Sequence, residues 1–254
     1  MEPKNRVLAA VLLIGNELLS GRTRDSNLTV IAKRLGEAGI EIAEARIISD
    51  HKDAIINAVN EMRLSYDYVI TTGGIGPTHD DITSESVAEA FKVPLELNAD
   101  AHAIMKALCE AQNKPLNAAR LRMAHIPLGA RLLKNRLSGA PGYRIENVFV
   151  LAGVPMIMEV MLEGALAGMQ GGAIRHTASL VCNLQEGQLA QPLRELEQSH
   201  PGIEIGSYPR FGNGNSSVTL IARSFDADLL QQVQVKLQDM IQRLGGHEIS
   251  QQDG

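Results

Sequence analysis

The sequence predicts an α/β protein in which helices cover both faces of a mostly parallel sheet, followed by a small α+β domain. Three observations lead there. A continuous apolar run opens the chain, strand-like and helix-like stretches then alternate, and a glycine pair at Gly171-Gly172 precedes a stretch of different pattern.

Arg6 to Gly15 reads RVLAAVLLIG, a short apolar run between a charge and a glycine, as a strand buried on both faces requires. Asn16 to Ser26 is polar and reads as a loop. Leu28, Ile31, Ala32 and Leu35 then recur at helical spacing, and Gly39 stops that helix. Ile40 to Ile48 alternates as a strand, Ser49-Asp50 can cap a helix over about Lys52 to Leu64, and Tyr68 to Thr71 is a third strand. This βαβαβ order calls for a parallel sheet with right-handed crossovers, whose ligands sit at the carboxyl ends of the strands.

Thr83 or Ser84 is expected to cap a helix through Phe91. Ala101 to Ala111 gives another, and a short helix near 116–123 precedes strands of mixed signal before the clear strand Val148 to Leu151. A Met-rich helix from about Met156 to Gly168, read as core or subunit contact, runs to the glycine pair. The boundary placed there gives domains 1–171 and 172–254. The second reads as strand 176–182, helix 186–198, strands 203–208 and 217–222, and helix 227–244, a β-α-β-β-α module.

At 254 residues, 44% hydrophobic and 21% charged, the chain can bury such a pair of cores. A net charge of -5 with dispersed Lys and Arg leaves no basic footprint for nucleic acid. No run approaches the roughly 20 apolar residues of a membrane span, and MEPKNR lacks the apolar core of a signal peptide, so a cytoplasmic protein is expected, with no membrane partner. Cys109 and Cys182 lie far apart without metal-ligand spacing, and no HExxH or GxSxG occurs, which argues against a thiolate metal site, a catalytic zinc and a nucleophile elbow.

The chemistry concentrates after the third strand, in Thr72-Gly73-Gly74-Ile75-Gly76-Pro77-Thr78. Three glycines let backbone N–H groups turn toward an anion, Pro77 stiffens the turn, Thr78 adds a hydroxyl, and the helix beginning near Thr83 presents its positive end. A tight turn without a ligand is the alternative. Asp80 and Asp81 follow at once, and two carboxylates beside an anion site repel a phosphate unless a cation lies between them. A divalent cation is therefore expected, magnesium, manganese or cobalt, with potassium as a further candidate and Glu17 as an additional ligand. The other readings of Asp81 are a general base or a helix cap. Asp50, at the end of the second strand, faces the same crevice or caps the helix after it. Asn16, Ser20, Asp25 and Asn27, in or beside the loop after the first strand, share that edge. His79, without a spaced partner, reads as a surface residue.

At GNELLSGRTRDSN (Gly15 to Asn27), TTGGIGPTHDDIT (Thr71 to Thr83), SGAPGY (Ser138 to Tyr143) and LAGVP (Leu151 to Pro155), the chain resembles the N-terminal domain of CinA-type proteins, within the molybdopterin-binding superfamily of MoaB- and Mog-like domains. The segment with SYP (Ser207 to Pro209) resembles the small domain that follows it. The resemblance implies a three-layer α/β/α domain, acidic catalytic positions at Asp50 and Asp81, and substrate contacts that include Ala140 and Gly142. It also implies metal-dependent pyrophosphatase activity on ADP-ribose or FAD, with molybdopterin binding or adenylylation as the alternative and a non-catalytic nucleotide-binding module as the third. LAGVP stands where CinA commonly has LPGVP followed by a glutamate, with Ile157 at that later position, which points to a different subfamily. The amidase domain of full-length CinA has no counterpart in these residues, so nicotinamide-nucleotide deamidation is not expected. A small-molecule nucleotide or pterin is the expected partner, in a homo-oligomer, with a dimer favoured.

Overall fold

In the computed structural model, which describes residues 6–212 and 215–247, the first apolar run becomes β1 (Val7–Ile14). Its period-two alternation decides the architecture. Ala10, Leu12 and Ile14 enter one apolar core, while Val7, Ala9, Val11 and Leu13 enter a second core on the opposite face. Large aliphatic side chains such as Leu12 and Leu13 are sealed from solvent, each burial contributing about 1.5–3 kcal/mol. A strand apolar on both faces needs helices on both faces.

The chain supplies them in order: α1 (Asn16–Leu19), α2 (Asn27–Glu37), β2 (Ile40–Ile48), α3 (Lys52–Ser65), β3 (Tyr68–Thr72) and α4 (Thr83–Ala90). A short antiparallel pair, β4 (Leu95–Leu97) and β5 (His125–Pro127), brackets α5 (Ala99–Ala111) and α6 (Ala118–Arg122). Then come β6 (Arg131–Leu133), β7 (Gly142–Ile145), β8 (Val148–Leu151) and α7 (Pro155–Leu166). The sheet runs β2-β1-β3-β8-β7-β6, with parallel pairing from β2 to β8 and antiparallel pairing through β7 and β6. α3, α4 and α5 cover one face through Ile55, Val59, Met62, Val87 and Met105. α2 and α7 cover the other through Ile31, Leu35, Met158 and Leu162. The helix–sheet–helix expectation is met.

β1 lies between β2 and β3, so the chain steps to one side of β1 to form β2 and then crosses back to its other side to form β3. That reversal opens a crevice at the carboxyl ends of β1 and β3.

Three local features differ from expectation. α1 forms inside the stretch read as a loop. α3 follows His51 without a side-chain cap, because Asp50 accepts a hydrogen bond from Asn16 Nδ2 instead. α4 follows Ile82, likewise uncapped, and Thr83 lies inside its first turn, fully buried, its hydroxyl donating to Gly73 O at 3.0 Å. In both cases a partner brought up by the tertiary fold takes the side chain that was expected at the helix end.

The chain divides into two units between Ala173 and Ile174. The second holds β9 (His176–Cys182), α8 (Glu186–Gln198), β10 (Glu204–Gly212), β11 (Asn215–Ser224) and α9 (Ala227–Arg243). Its antiparallel sheet, ordered β10-β11-β9, shares one apolar core with both helices through Leu180, Leu189, Leu220, Val233 and Leu237. Asp226 caps α9 by accepting from the N–H groups of Asp228 and Leu229. Among the described residues no helix is long and apolar enough to cross a membrane.

Candidate functional site

A cleft of about 600 Å³ occupies the crevice, within the range of small-molecule sites. Its wall takes Glu17, Leu18 and Thr23 to Asn27 from the segment after β1, Asp50 from the end of β2, and Thr72 to Pro77 from the end of β3. The turn Ala152 to Pro155 after β8 also lines it.

The glycine loop is held open by its neighbours. Gly73 and Gly74 have φ of 104° and 68°, and an added Cβ would drive into the Ile14 carbonyl oxygen at the first and into the Thr83 hydroxyl at the second. The Gly73 N–H bonds to Leu151 O at 3.2 Å, whereas no described protein acceptor takes the N–H groups of Gly74, Ile75 or Gly76. Three successive free donors beside a cleft can receive an anion. Gly73→Ala is expected to cost more than Gly21→Ala. Both glycines have positive φ, a strain of about 1–3 kcal/mol for alanine, but nothing lies within 4 Å of a Cβ at Gly21. Thermal melting reads the difference, at about 2–4 °C per kcal/mol; equal losses would mean that the Ile14 contact yields freely.

Asp81 folds back beneath the loop. Its Oδ2 accepts from the Thr78 N–H at 2.8 Å and from Thr78 Oγ1 at 2.6 Å, and the same hydroxyl lies in hydrogen-bond contact with Asp80 Oδ1. A hydroxyl carries one proton, so it cannot satisfy both carboxylates at once. The pair is left short of positive charge, which suits a hard cation. The Thr78 hydroxyl, with a backbone N–H, holds the Asp80 carboxyl below the usual aspartate range. Its charge therefore survives to lower pH in the folded chain, and its stabilising contribution is lost as pH falls through that depressed value. In Thr78→Val the Asp80 carboxyl resonance is expected to titrate at higher pH than in the parent chain; an unmoved titration would assign the shift to the backbone.

Asp50 stands on the cleft wall, and Asn16, outside the lining, orients it through the amide bond to Oδ1. Glu17 also lines the cleft, its carboxylate crowding Gly15. Among the described residues no three His, Cys, Asp or Glu side chains converge as a metal cage, so the structure does not bring Glu17 together with both Asp80 and Asp81. The two aspartates fit a cation that takes its remaining oxygens from water and phosphate, the habit of magnesium.

Asn27 is buried at 4% exposure and donates from Nδ2 to Gly153 O at 2.8 Å, with Oδ1 unpaired. Ala140 lies on the wall. Gly142 and Ser20 do not. Gly142 lets β7 approach Val150 O and Met161 Sδ, and Ser20 ends α1, donating to Glu17 O at 3.2 Å. Thr78 and Thr83 act from behind the loop, and His79 points to solvent with its side chain 95% exposed. Some contributors escaped the sequence. Met161, read as core or subunit contact, lines the cleft with Ile157, and Arg24 adds a cationic residue to its wall.

Residues 10–169 match the family described as "Probable molybdopterin binding domain", and residues 175–245 match "FAD synthase, middle domain". A protein of Caldivirga maquilingensis is 31% identical over 243 residues, 93% of this chain and 95% of the relative. A CinA-like protein of Desulfosudis oleivorans is 34% identical over 216 residues, covering 81% of this chain but only 52% of its own length, so the chain spans about half of that relative. The crystal structure of the protein CinA, of unknown function, from Thermoplasma acidophilum superposes with a TM-score of 0.59 at 32% identity, over 65% of this chain and 99% of the other.

Proposed function

The chain belongs to the molybdopterin-binding-domain family, among the CinA-like proteins, and from that premise we propose that its cleft hydrolyses the diphosphate bridge of a nucleotide conjugate such as ADP-ribose or FAD. The observation that carries the reading is the junction of an anion receptor, the free N–H groups of Gly74, Ile75 and Gly76, with the proton-poor pair Asp80 and Asp81. A diphosphate with its divalent cation carries the complementary charges in the same order.

In this reading the loop N–H groups receive phosphate oxygens and stabilise charge that grows during attack. Asp80 and Asp81 hold the cation, which when bound supplies Lewis-acid polarisation of the phosphoryl oxygens. Asp50, fixed through one oxygen by Asn16, offers its second oxygen to a water proton. Water oxygen bonds to phosphorus, the bridging P–O bond breaks, the water proton passes to Asp50, and two phosphate monoesters leave, one of them AMP. The likeness of residues 175–245 to the FAD synthase middle domain adds FAD to the substrates worth testing.

The family description, which names molybdopterin binding, supports a second reading in which the same loop and carboxylates bind molybdopterin; ATP-dependent adenylylation is the chemistry that reading would add. Product analysis decides between them. Purified protein given ADP-ribose, FAD or NAD with magnesium, manganese or cobalt, and potassium, is expected to release AMP. No release with any of these metals would remove the hydrolase and leave the pterin reading, which ATP-dependent conversion of bound molybdopterin would test.

A further inference from the structure

We propose that Arg24 is a specificity-determining residue of this cleft, a second anion-recognition point that gives diphosphate-bearing ligands their advantage over monophosphates. The inference rests on the nucleotide-conjugate reading above.

The ionisable side chains on the cleft wall are Glu17, Asp25, Asp50, Asp80 and Asp81 against one guanidinium, that of Arg24. In a wall so negative, a single cation sets where an anionic group settles. Arg24 forms no ion pair or side-chain hydrogen bond among the described residues. Its neighbour Asp25 is not available to neutralise it through Oδ1, which accepts from the Leu28 N–H at 2.9 Å at the start of α2. The backbone on both sides of Arg24 is anchored. The Thr23 N–H bonds to Glu17 O at 3.1 Å, and Asn27 ties the following residues to Gly153 O. The guanidinium thus rides on a fixed base while its own end stays uncommitted, so binding an anion orders a side chain and leaves the backbone unmoved.

The loop N–H groups already provide one place for a phosphate, and they come from the end of β3, whereas Arg24 comes from the segment after β1. Two anion-recognition points carried by different segments of one cleft can take two linked phosphates. A planar guanidinium makes paired, charge-assisted bonds to phosphate oxygens.

The test is calorimetric binding of ADP, AMP and adenosine to the full chain with magnesium, comparing the parent with Arg24→Gln and Arg24→Lys. Arg24→Gln is expected to weaken ADP by about tenfold, as loss of one charge-assisted contact does, while AMP and adenosine change less than about twofold. Arg24→Lys is expected to recover part of the loss, because it restores the charge without the fork. Equal weakening of all three ligands would make Arg24 a structural residue, and unchanged ADP affinity would remove it from recognition. Either result overturns this inference and leaves the hydrolase reading standing. Failure of all three ligands to bind the parent chain would overturn both.

Discussion

Asp81→Asn is expected to lower kcat on the preferred dinucleotide at least about a hundredfold, the scale seen when one preorganised electrostatic contact to a transition state is lost, with the fold intact. The asparagine keeps an oxygen where Oδ2 accepts from the Thr78 N–H and hydroxyl, so the turn beneath Gly76 persists. What disappears is one of two negative charges that share a single hydroxyl proton, and with it the proposed cation site. Asp81→Ala is a poorer probe, since it also strands the Thr78 N–H. Asp80→Asn separates the two carboxylates: a loss there without a loss at Asp81 would place the cation on Asp80 alone. Full turnover in Asp81→Asn, with an unchanged melting temperature, would take Asp81 out of the reaction.

Much of this site was legible because strand ends converge by topology. A buried first strand followed by βαβ alternation forces a crevice at its carboxyl end, so the polar segment after Ile14, Asp50 after β2 and the glycine loop after β3 meet without any long-range contact being known. The side chains whose partners depend on folding were harder to read. Asp50 and Thr83 belong to types that cap helices, and residue type alone favours the local N–H. In the folded chain Asn16 and the Gly73 carbonyl stand close enough to claim them. α1 escaped notice because a helix of four residues is held by its surroundings, not by propensity. Ser20 shares the loop composition of the true wall residues but falls at the end of that short helix and turns back on Glu17. Arg24 carries no spacing signal. What could have found it is its position, a cation in a strand-to-helix loop otherwise rich in acidic and amide side chains, and only the count of charges on the finished wall gives it weight.

Removal of divalent cations is expected to weaken ADP by about a hundredfold while changing adenosine affinity less than about twofold. Two like charges 4 Å apart interact by about 4 kcal/mol at the effective dielectric of a protein surface, and a diphosphate entering this cleft meets five carboxylates with only Arg24 to offset them. The loop N–H groups of Gly74 to Gly76 carry partial charges and cannot balance that repulsion alone. Adenosine brings no charge, so its binding reports the shape of the cleft and the apolar wall formed by Leu18, Ile75, Ile157 and Met161. Titrating both ligands calorimetrically, with magnesium and then with a chelator, separates the electrostatic part of recognition from the steric part. Equal weakening of the two would mean that the cation holds the cleft in shape. Unchanged ADP affinity would mean that the diphosphate sits clear of Asp80 and Asp81, held by the loop and Arg24, and the hydrolytic role of the two aspartates would fall with it.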